Sequence, residues 1–342
     1  MNTRLLSSSD ADIALAAQIV RDGGIVGMPT ETVYGLAGNA LDAESARKIY
    51  AAKGRPSDNP LIVHISHISE IEPLVTYVPD NARRLFDAFS PGPITVILPK
   101  SDLIPNETSG GLDTVGIRIP ADKTARRFIR ACGVPIAAPS ANRSGSPSPT
   151  TARHVMDDMD GRIPAVIDGG CCAVGVESTV VSCGMDGMIT VLRPGFVSPE
   201  DIAEVVGADN VCLAKGVTER LSDGERVLSP GMKYRHYAPA ADAAIVVGDR
   251  AAFERYVTLH GGERSDVYAM GWGDEDLARL IPYGMTSEEQ AHSLFDVLRR
   301  LDEVGANRVY IRYPERTGVG LAVYNRLLRA AGFEVIVTDE EG

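Results

Sequence analysis

Between Lys53 and His64 the chain reads Lys-Gly-Arg-Pro-Ser-Asp-Asn-Pro-Leu-Ile-Val-His, a cationic loop that runs into an apolar strand ending on a histidine. Pro56 and Pro60 fix their own φ and push the residues before them, Arg55 and Asn59, toward extended backbone, so little entropy is left to lose on binding. Lys53 and Arg55 offer charge-assisted bonds to phosphate, Asn59 an amide and His64 a ring nitrogen. That is the chemistry of a polyanion site.

Four further clusters each follow or lie within an expected strand. Thr30, Glu31 and Thr32 supply two hydroxyls and a carboxylate, for a small polar substrate or for their own backbone. Arg118 lies inside the apolar run 115–119, where a charge is costly unless paired; its partner is either an Asp of the protein or the carboxylate of a substrate. The run 137–150, Ala-Ala-Pro-Ser-Ala-Asn-Arg-Ser-Gly-Ser-Pro-Ser-Pro-Thr, sets small residues and hydroxyls after a buried strand, so a ligand can approach the backbone. Gly-Val-Glu-Ser-Thr at 175–179 and Leu-Arg-Pro-Gly at 192–195 lie across an expected hairpin and add Ser178 and Arg193.

No Gly-Lys-Ser or Gly-Lys-Thr of a Walker loop occurs, and no Gly-x-Ser-x-Gly elbow. Nor does a Ser–His–Asp or Cys–His set stand out. Cations and hydroxyls without a nucleophile suit positioning and electrostatic stabilisation of phosphoryl or nucleotidyl transfer. The five cysteines form no Cys-x-x-Cys pair, which fits reduced thiols in a cytosol, and His64 with His67 is a lone pair of potential ligands. Zinc is not expected, nor a metal held by protein side chains.

The formal net charge is −12. Residues 1–200 carry 18 Lys/Arg against 22 Asp/Glu, and residues 201–342 carry 16 against 24. Non-specific affinity for nucleic acid comes from surplus Lys/Arg, so this balance argues against a general nucleic-acid binder and makes any anion site local. No unbroken apolar run reaches the roughly 18 residues of a membrane span, and the N-terminal dozen residues resemble no secretory leader. A cytoplasmic location follows as the expectation.

Short β-rich runs alternate with amphipathic helices, the mark of an α/β protein. Helices are expected at 10–22, 43–52, 80–89, 122–132 and 199–206, with strands near 25–28, 61–65, 94–98, 115–119, 136–138, 164–167, 178–182 and 188–192. Strand ends are where open α/β sheets bind ligands. The periodicity fades over 207–241, a linker carrying Lys233, Tyr234, Arg235, His236 and Tyr237, more cationic and aromatic than a plain tether. Beyond it, strands at 243–247, 265–270, 308–312 and 333–338 alternate with helices at 250–260, 286–304 and 319–331, a small Rossmann-like parallel sheet lacking the Gly-x-Gly-x-x-Gly fingerprint. The organisation expected is a domain over 1–206, a linker or lid over 207–241 and a second domain over 242–342.

Six motifs in order, Pro-Thr-Glu-Thr-Val-Tyr-Gly-Leu at 29–36, Lys-Gly-Arg-Pro at 53–56, Asn-Pro-Leu-Ile-Val-His at 59–64, Ser-Pro-Gly-Pro at 90–93, Pro-Ser-Ala-Asn at 139–142 and Gly-Val-Glu-Ser-Thr at 175–179, closely resemble the YrdC-like (Sua5/YciO/YrdC) family. The linker Ser-Pro-Gly-Met-Lys-Tyr-Arg-His-Tyr-Ala-Pro at 229–239 and the second domain resemble its longer, two-domain form. The resemblance implies a twisted YrdC-like α/β sheet in the first domain. It also implies an enzyme, a nucleotidyltransferase that converts L-threonine, bicarbonate and ATP into threonylcarbamoyl-adenylate and pyrophosphate. The adenylate would then pass to a tRNA threonylcarbamoyl transferase complex.

The implied threonine site is Thr32, His64, Arg118 on the carboxylate, Ala138 in the wall and Ser178. The implied ATP site is Arg55, Asn59, Thr114, Ser140, Ser148 and Arg193, with Lys53 near the phosphates and His236 contributed by the closing linker. Magnesium would arrive with ATP, held by phosphate and water. The rival the family raises is an RNA-binding module, which would take double-stranded RNA or tRNA weakly; no membrane partner is expected. A third reading, a relative acting on carbamoyl phosphate, would bring zinc-finger and acylphosphatase segments not found in this sequence.

Overall fold

The computed structural model describes residues 2–57, 59–219 and 237–338. The chain divides into two compact units, Met1–Ser144 with Ser148–Lys233 and Gly145–Pro147 with Tyr234–Gly342.

The first unit is a mixed sheet of eleven strands: β1 (Arg4–Leu6), β2 (Val26–Met28), β3 (Gly35–Asn39), β4 (Ile62–His64), β5 (Ile94–Pro99), β6 (Thr114–Arg118), β7 (Ile136–Ala137), β8 (Ala165–Ile167), β9 (Thr179–Cys183), β10 (Ile189–Arg193) and β11 (Val211–Leu213). Their order across the sheet is β1-β8-β2-β3-β7-β4-β6-β5-β9-β10-β11. Period-two alternation decides what each face does. Val63, Val96, Val115, Ile117 and Val181 point into the main core, while Ile62, Val180 and Leu192 share the opposite face. Around β2 and β7 that opposite face is closed by the helices Asp10–Arg21 and Lys123–Cys132, whose Ile13, Ala17, Phe128 and Ile129 pack with Met28 and Ile136.

Local chemistry sets the helix ends. Ser9, Asp42 and Asp122 each cap a helix by accepting a bond from a first-turn N–H. The helix Ala43–Lys53 closes on Gly54, whose φ of 62° is a left-handed C-cap, and this turn launches the 55–60 loop.

Most strands fall within a residue or two of their expected places. Three were not foreseen. β3 reads Gly-Leu-Ala-Gly-Asn, without the β-branched residues that mark strands, and pairs antiparallel with β2. Gly38 packs tightly there, since a Cβ would lie 3.1 Å from Ile25 and 3.2 Å from Ile49 and those methyl groups would have to shift. β1 pairs with β8, and β11, within the span read as linker, pairs in parallel with β10. A helix at Ala152–Met159, capped by Thr151, was also missed.

The second unit is a parallel sheet of β12 (Asp242–Val247), β13 (Val267–Gly271), β14 (Leu280–Pro282), β15 (Arg308–Arg312) and β16 (Val335–Val337) in the order β14-β13-β15-β12-β16. The expected parallel Rossmann-like sheet is present with one strand more than anticipated, the three-residue β14. The helices Arg250–Gly261, Ser287–Glu303 and Gly318–Ala330 connect it.

Candidate functional site

β4 and β6 run parallel with Ile62 beside Gly116 and His64 beside Arg118, so the histidine and the arginine end adjacent strands on the face opposite the main core. Both are buried, at 3% and 4% exposure. Burial, and then the charge of Arg118, push the His64 pKa down to about 3, so the ring is neutral near pH 7. Its Nδ1 lies 3.2 Å from the Ile62 carbonyl, which can only accept, so Nδ1 carries the proton in that contact.

Arg118 meets a carboxylate, as its position demanded. The partner is Glu31, 2.8 Å from Nη2 and itself 9% exposed, not an Asp. The contact lacks hydrogen-bond geometry: Nε and Nη2 of Arg118 and both oxygens of Glu31 are buried without a hydrogen-bond partner. A buried pair this poorly bonded recovers little of its desolvation cost. A substrate carboxylate that grips the guanidinium at two points would be bound better than Glu31 is.

Glu31 is held by the turn after β2. Thr30 donates its only hydroxyl proton to the Val33 carbonyl (2.6 Å), so in the 2.9 Å contact between Thr30 and Thr32 the donor is Thr32. Both threonines are buried. Ala138 follows β7, donates its N–H to Ile62 (2.9 Å) and faces Gly35 closely enough that a Cβ there would come within 3.0 Å of it.

Ser178 precedes β9, with its hydroxyl 2.8 Å from Thr95. Arg193 grips the Ser178 carbonyl through Nε (3.1 Å) and Nη2 (3.0 Å), and Nη2 also reaches the Ser178 hydroxyl at 3.2 Å. A register shift between Val191 and Arg193 sets Arg193 opposite Val180. Gly195 is obligatory here, for a Cβ would stand 2.2 Å from the Thr179 nitrogen.

The residues expected around ATP are split. Lys53 is buried, and its ammonium donates to the Ser140 carbonyl, to the Asn142 carbonyl (2.7 Å) and to Asn142 Oδ1 (3.4 Å). Burial, and then Arg55, push its pKa well below the lysine range. Its carbonyl also receives the Ser144 N–H, so Lys53 fastens the 140–144 loop. Ser148, fully buried, donates to Glu177 at 2.6 Å. Asn59 is buried with Oδ1 unpartnered, while its carbonyl accepts from Tyr50 (3.0 Å) and Arg55 (3.3 Å).

Thr114 begins β6 four residues before Arg118, which at about 3.3 Å per residue separates them by roughly 13 Å. It lines a narrow cleft with Pro60, Ile62, Thr95, Gly116 and Val180. Gly116 keeps the cleft open, since a Cβ would come within 3.0 Å of Thr95. The cleft lies on the same face of β6 that carries Arg118 further along the strand. His236, expected to reach the nucleotide, lies outside the described residues, as does the rest of 220–236 in the lid span.

The sequence places Glu31 among the polar groups of the first cluster but does not pair it with Arg118, and it gives Glu177 and Thr95 no part. The signal for Glu31 was present: a buried arginine requires a carboxylate, and Glu31 stands between two threonines at a strand end. Thr95 and Glu177 carry no such mark.

Cys132 and Cys172 are buried and their thiols are pushed up, Cys132 to about 12, so neither supplies a thiolate near neutral pH. The arrangement gathers buried cations and hydroxyls along the end of a sheet.

The fold is that of a two-unit α/β chain with buried cations and hydroxyls at strand ends of the first unit. The family model described as Telomere recombination (Sua5_yciO_yrdC) matches residues 18–195, and that described as Threonylcarbamoyl-AMP synthase, C-terminal domain (Sua5_C) matches residues 197–332. The chain belongs to the Sua5/YciO/YrdC family. A relative from Bacillus subtilis named threonylcarbamoyl-AMP synthase is 45% identical, covering 97% of this chain and 96% of its own. One of the same name from Pyrococcus abyssi is 43% identical over 95% of each chain. A solved structure described as P. abyssi Sua5 complexed with L-threonine superposes with a TM-score of 0.92 at 40% identity, covering 99% of this chain and 100% of that one. No described helix is long and apolar enough to cross a membrane.

Proposed function

We propose that this chain is an L-threonylcarbamoyladenylate synthase, joining L-threonine, bicarbonate and ATP into threonylcarbamoyl-AMP with release of pyrophosphate and water. The observation that carries the reading is Arg118, a buried guanidinium beside His64 whose one ion-pair partner among the described residues, Glu31, makes no hydrogen bond to it. In this reading it is a seat for a carboxylate, and the name of the relatives, with a P. abyssi structure described as complexed with L-threonine, supports threonine as the occupant.

In this reading threonine's carboxylate takes Arg118, while Thr32, His64, Ser178 and Ala138 surround the rest of the amino acid. Glu31, released from Arg118, turns to the threonine ammonium and accepts the proton that the nitrogen must lose before it attacks carbon dioxide or bicarbonate. The resulting carbamate oxygen then attacks the α-phosphorus of ATP, and the bond to the β-phosphate oxygen breaks. His64, neutral near pH 7, adds no charge to compete for the carboxylate.

ATP is assigned to Arg55, Asn59, Thr114, Ser140, Ser148 and Arg193, with His236 as the linker's contribution. Lys53 is assigned a positioning part, holding the Ser140 loop rather than a phosphate, because three carbonyl oxygens already occupy its three protons. No group of three or more His, Cys, Asp or Glu able to hold a metal gathers among the described residues. Magnesium is accordingly proposed to travel with ATP on phosphate oxygens and water. The adenylate would be consumed by a tRNA threonylcarbamoyl transferase complex, and the cytoplasm is the proposed compartment.

The test is pyrophosphate release from ATP and bicarbonate with and without L-threonine. Release that depends on threonine is expected. Equal release in both mixtures overturns the assignment, and salt-sensitive RNA binding with no release would favour the binding-module reading.

A further inference from the structure

Tyr34 is fully buried, stands two residues after Thr32 in the turn that carries Glu31, and has no direct part in the reaction above. Its hydroxyl donates to the Gly170 carbonyl at 2.7 Å and accepts the Gly169 N–H at 3.0 Å. A phenol has one proton to give, and here it is given to Gly170. Burial pushes the phenol above its ordinary range, so the proton stays in place.

Gly169 and Gly170 open the loop that leads to Ser178. Further along it the Val174 N–H donates to the Glu31 carbonyl (2.7 Å) and the Gly175 N–H to the Thr32 carbonyl (3.2 Å). The turn 30–34 and the loop 169–175 therefore brace each other at two ends, the Tyr34 phenol at one and the Glu31 and Thr32 carbonyls at the other. Gly169 permits the close approach, since a Cβ there would lie 2.6 Å from Pro29. The main chain of Tyr34 is bonded elsewhere. Its N–H donates to Pro149 (2.8 Å) and its carbonyl accepts from Ala141 (2.8 Å), both in the stretch that carries Ser140 and Ser148. The backbone of Tyr34 thus holds the residues assigned to ATP, and its hydroxyl holds the loop that grips those assigned to threonine.

In the proposed reaction Glu31 exchanges Arg118 for the threonine ammonium while Thr32 keeps its place. With the backbone fixed, rotation of the Glu31 side chain alone accomplishes this; with the backbone loose, both contacts are lost together. We propose that Tyr34 is a positioning residue for the threonine site, its hydroxyl holding the 169–175 loop so that the loop fixes the backbone of Glu31 and Thr32. The inference rests on the reading of Arg118, Glu31 and Thr32 as the threonine site.

Tyr34→Phe keeps the ring and the backbone bonds to Pro149 and Ala141 and removes only the two hydroxyl bonds. Calorimetric titration of the full chain should show L-threonine bound at least about fivefold more weakly, the scale of one lost hydrogen bond, and ATP bound within about twofold of the parent. Hydrogen exchange at the Val174 and Gly175 amides should be faster. Tyr283→Phe is the matched control: it removes an equally buried phenol hydroxyl, which donates to the Arg312 carbonyl at 3.0 Å in the second unit, and should change neither threonine affinity nor those two amides. Gly169→Ala, whose methyl would overlap Pro29, displaces the same loop with the hydroxyl still present and should weaken threonine in the same direction; it decides the matter if Tyr34→Phe does not fold. The inference is overturned if Tyr34→Phe binds threonine as the parent does, if ATP affinity falls equally, if the two amides exchange no faster, or if Tyr283→Phe weakens threonine as much. A parent that binds ATP but not threonine overturns the threonine site itself, and this inference with it.

Discussion

Arg118 ends β6 in the first unit and Arg312 ends β15 in the second, both buried and both preceded by isoleucine. Their surroundings are opposite. Arg312 reaches Asp274 at 2.6 Å and Glu275 at 2.8 Å and lies 4.0 Å from the centre of the Trp272 ring. Glu275 in turn accepts the N–H groups of Trp272 (3.0 Å) and Gly273 (2.9 Å). Among the described residues Arg118 pairs with Glu31 alone and makes no hydrogen bond through Nε or Nη2. A buried charge whose bonds are filled serves the fold; one whose bonds are open can serve a ligand.

The largest effect tests the filled arginine. Arg312→Ala strands the buried Glu275 carboxylate, and breaking such a pair costs about 3–5 kcal/mol. Denaturant unfolding should show that loss, with threonine affinity unchanged in the protein that remains folded. A loss below about 1 kcal/mol would mean that Arg312 is no better anchored than a surface residue.

Arg118→Ala should act on binding instead. Losing charge-assisted bonds to a carboxylate weakens threonine by about 1.5–3 kcal/mol, roughly 10- to 150-fold, and leaves ATP affinity alone. In the parent, threonine at about 100 times its dissociation constant should add about 2.7 kcal/mol of stability, and at the same concentration this increment should fall to about 0.3–1.4 kcal/mol in the variant. Calorimetric titration checks the first statement and melting with and without threonine the second; equal threonine affinity in both proteins would remove Arg118 from the site.

The two arginines also show what could be read from the sequence. Gly-Ile-Arg and Tyr-Ile-Arg each announce a cation at the end of an apolar strand, and strands such as 62–64, 94–99 and 114–118 are legible from their β-branched residues. What each arginine meets is not local. Glu31 comes from the far side of β2, and the carbonyl groups that occupy Lys53 come from a loop 87 and 89 residues further on. A lysine in a basic loop therefore reads as a phosphate ligand until the fold brings those carbonyls to it. β3 and β14 stayed hidden for a different reason: Gly-Leu-Ala-Gly-Asn has no β-branched or aromatic residue, and Leu-Ile-Pro is only three residues long and ends in proline.

His64 extends the contrast to pH. Its folded pKa of about 3 lies below the usual 6.5, so between these values the unfolded chain binds more protons and stability falls as pH falls. From pH 6.5 to 5 the loss attributable to His64 is about 2 kcal/mol. His64→Gln should flatten that part of the profile in pH-dependent unfolding, and an unchanged slope would mean that the imidazole is not held neutral.

The smallest effect separates burial from the number of partners. Arg47 resembles Arg312 in having two carboxylates, Glu44 at 3.1 Å and Glu107 at 2.5 Å, but its side chain is 56% exposed. Water screens both contacts, and removing Arg47 strands no buried charge, so Arg47→Ala should cost less than about 1 kcal/mol. If it costs as much as Arg312→Ala in the same unfolding assay, desolvation is not what sets Arg312 apart, and the distinction between a filled and an open buried arginine loses its physical basis.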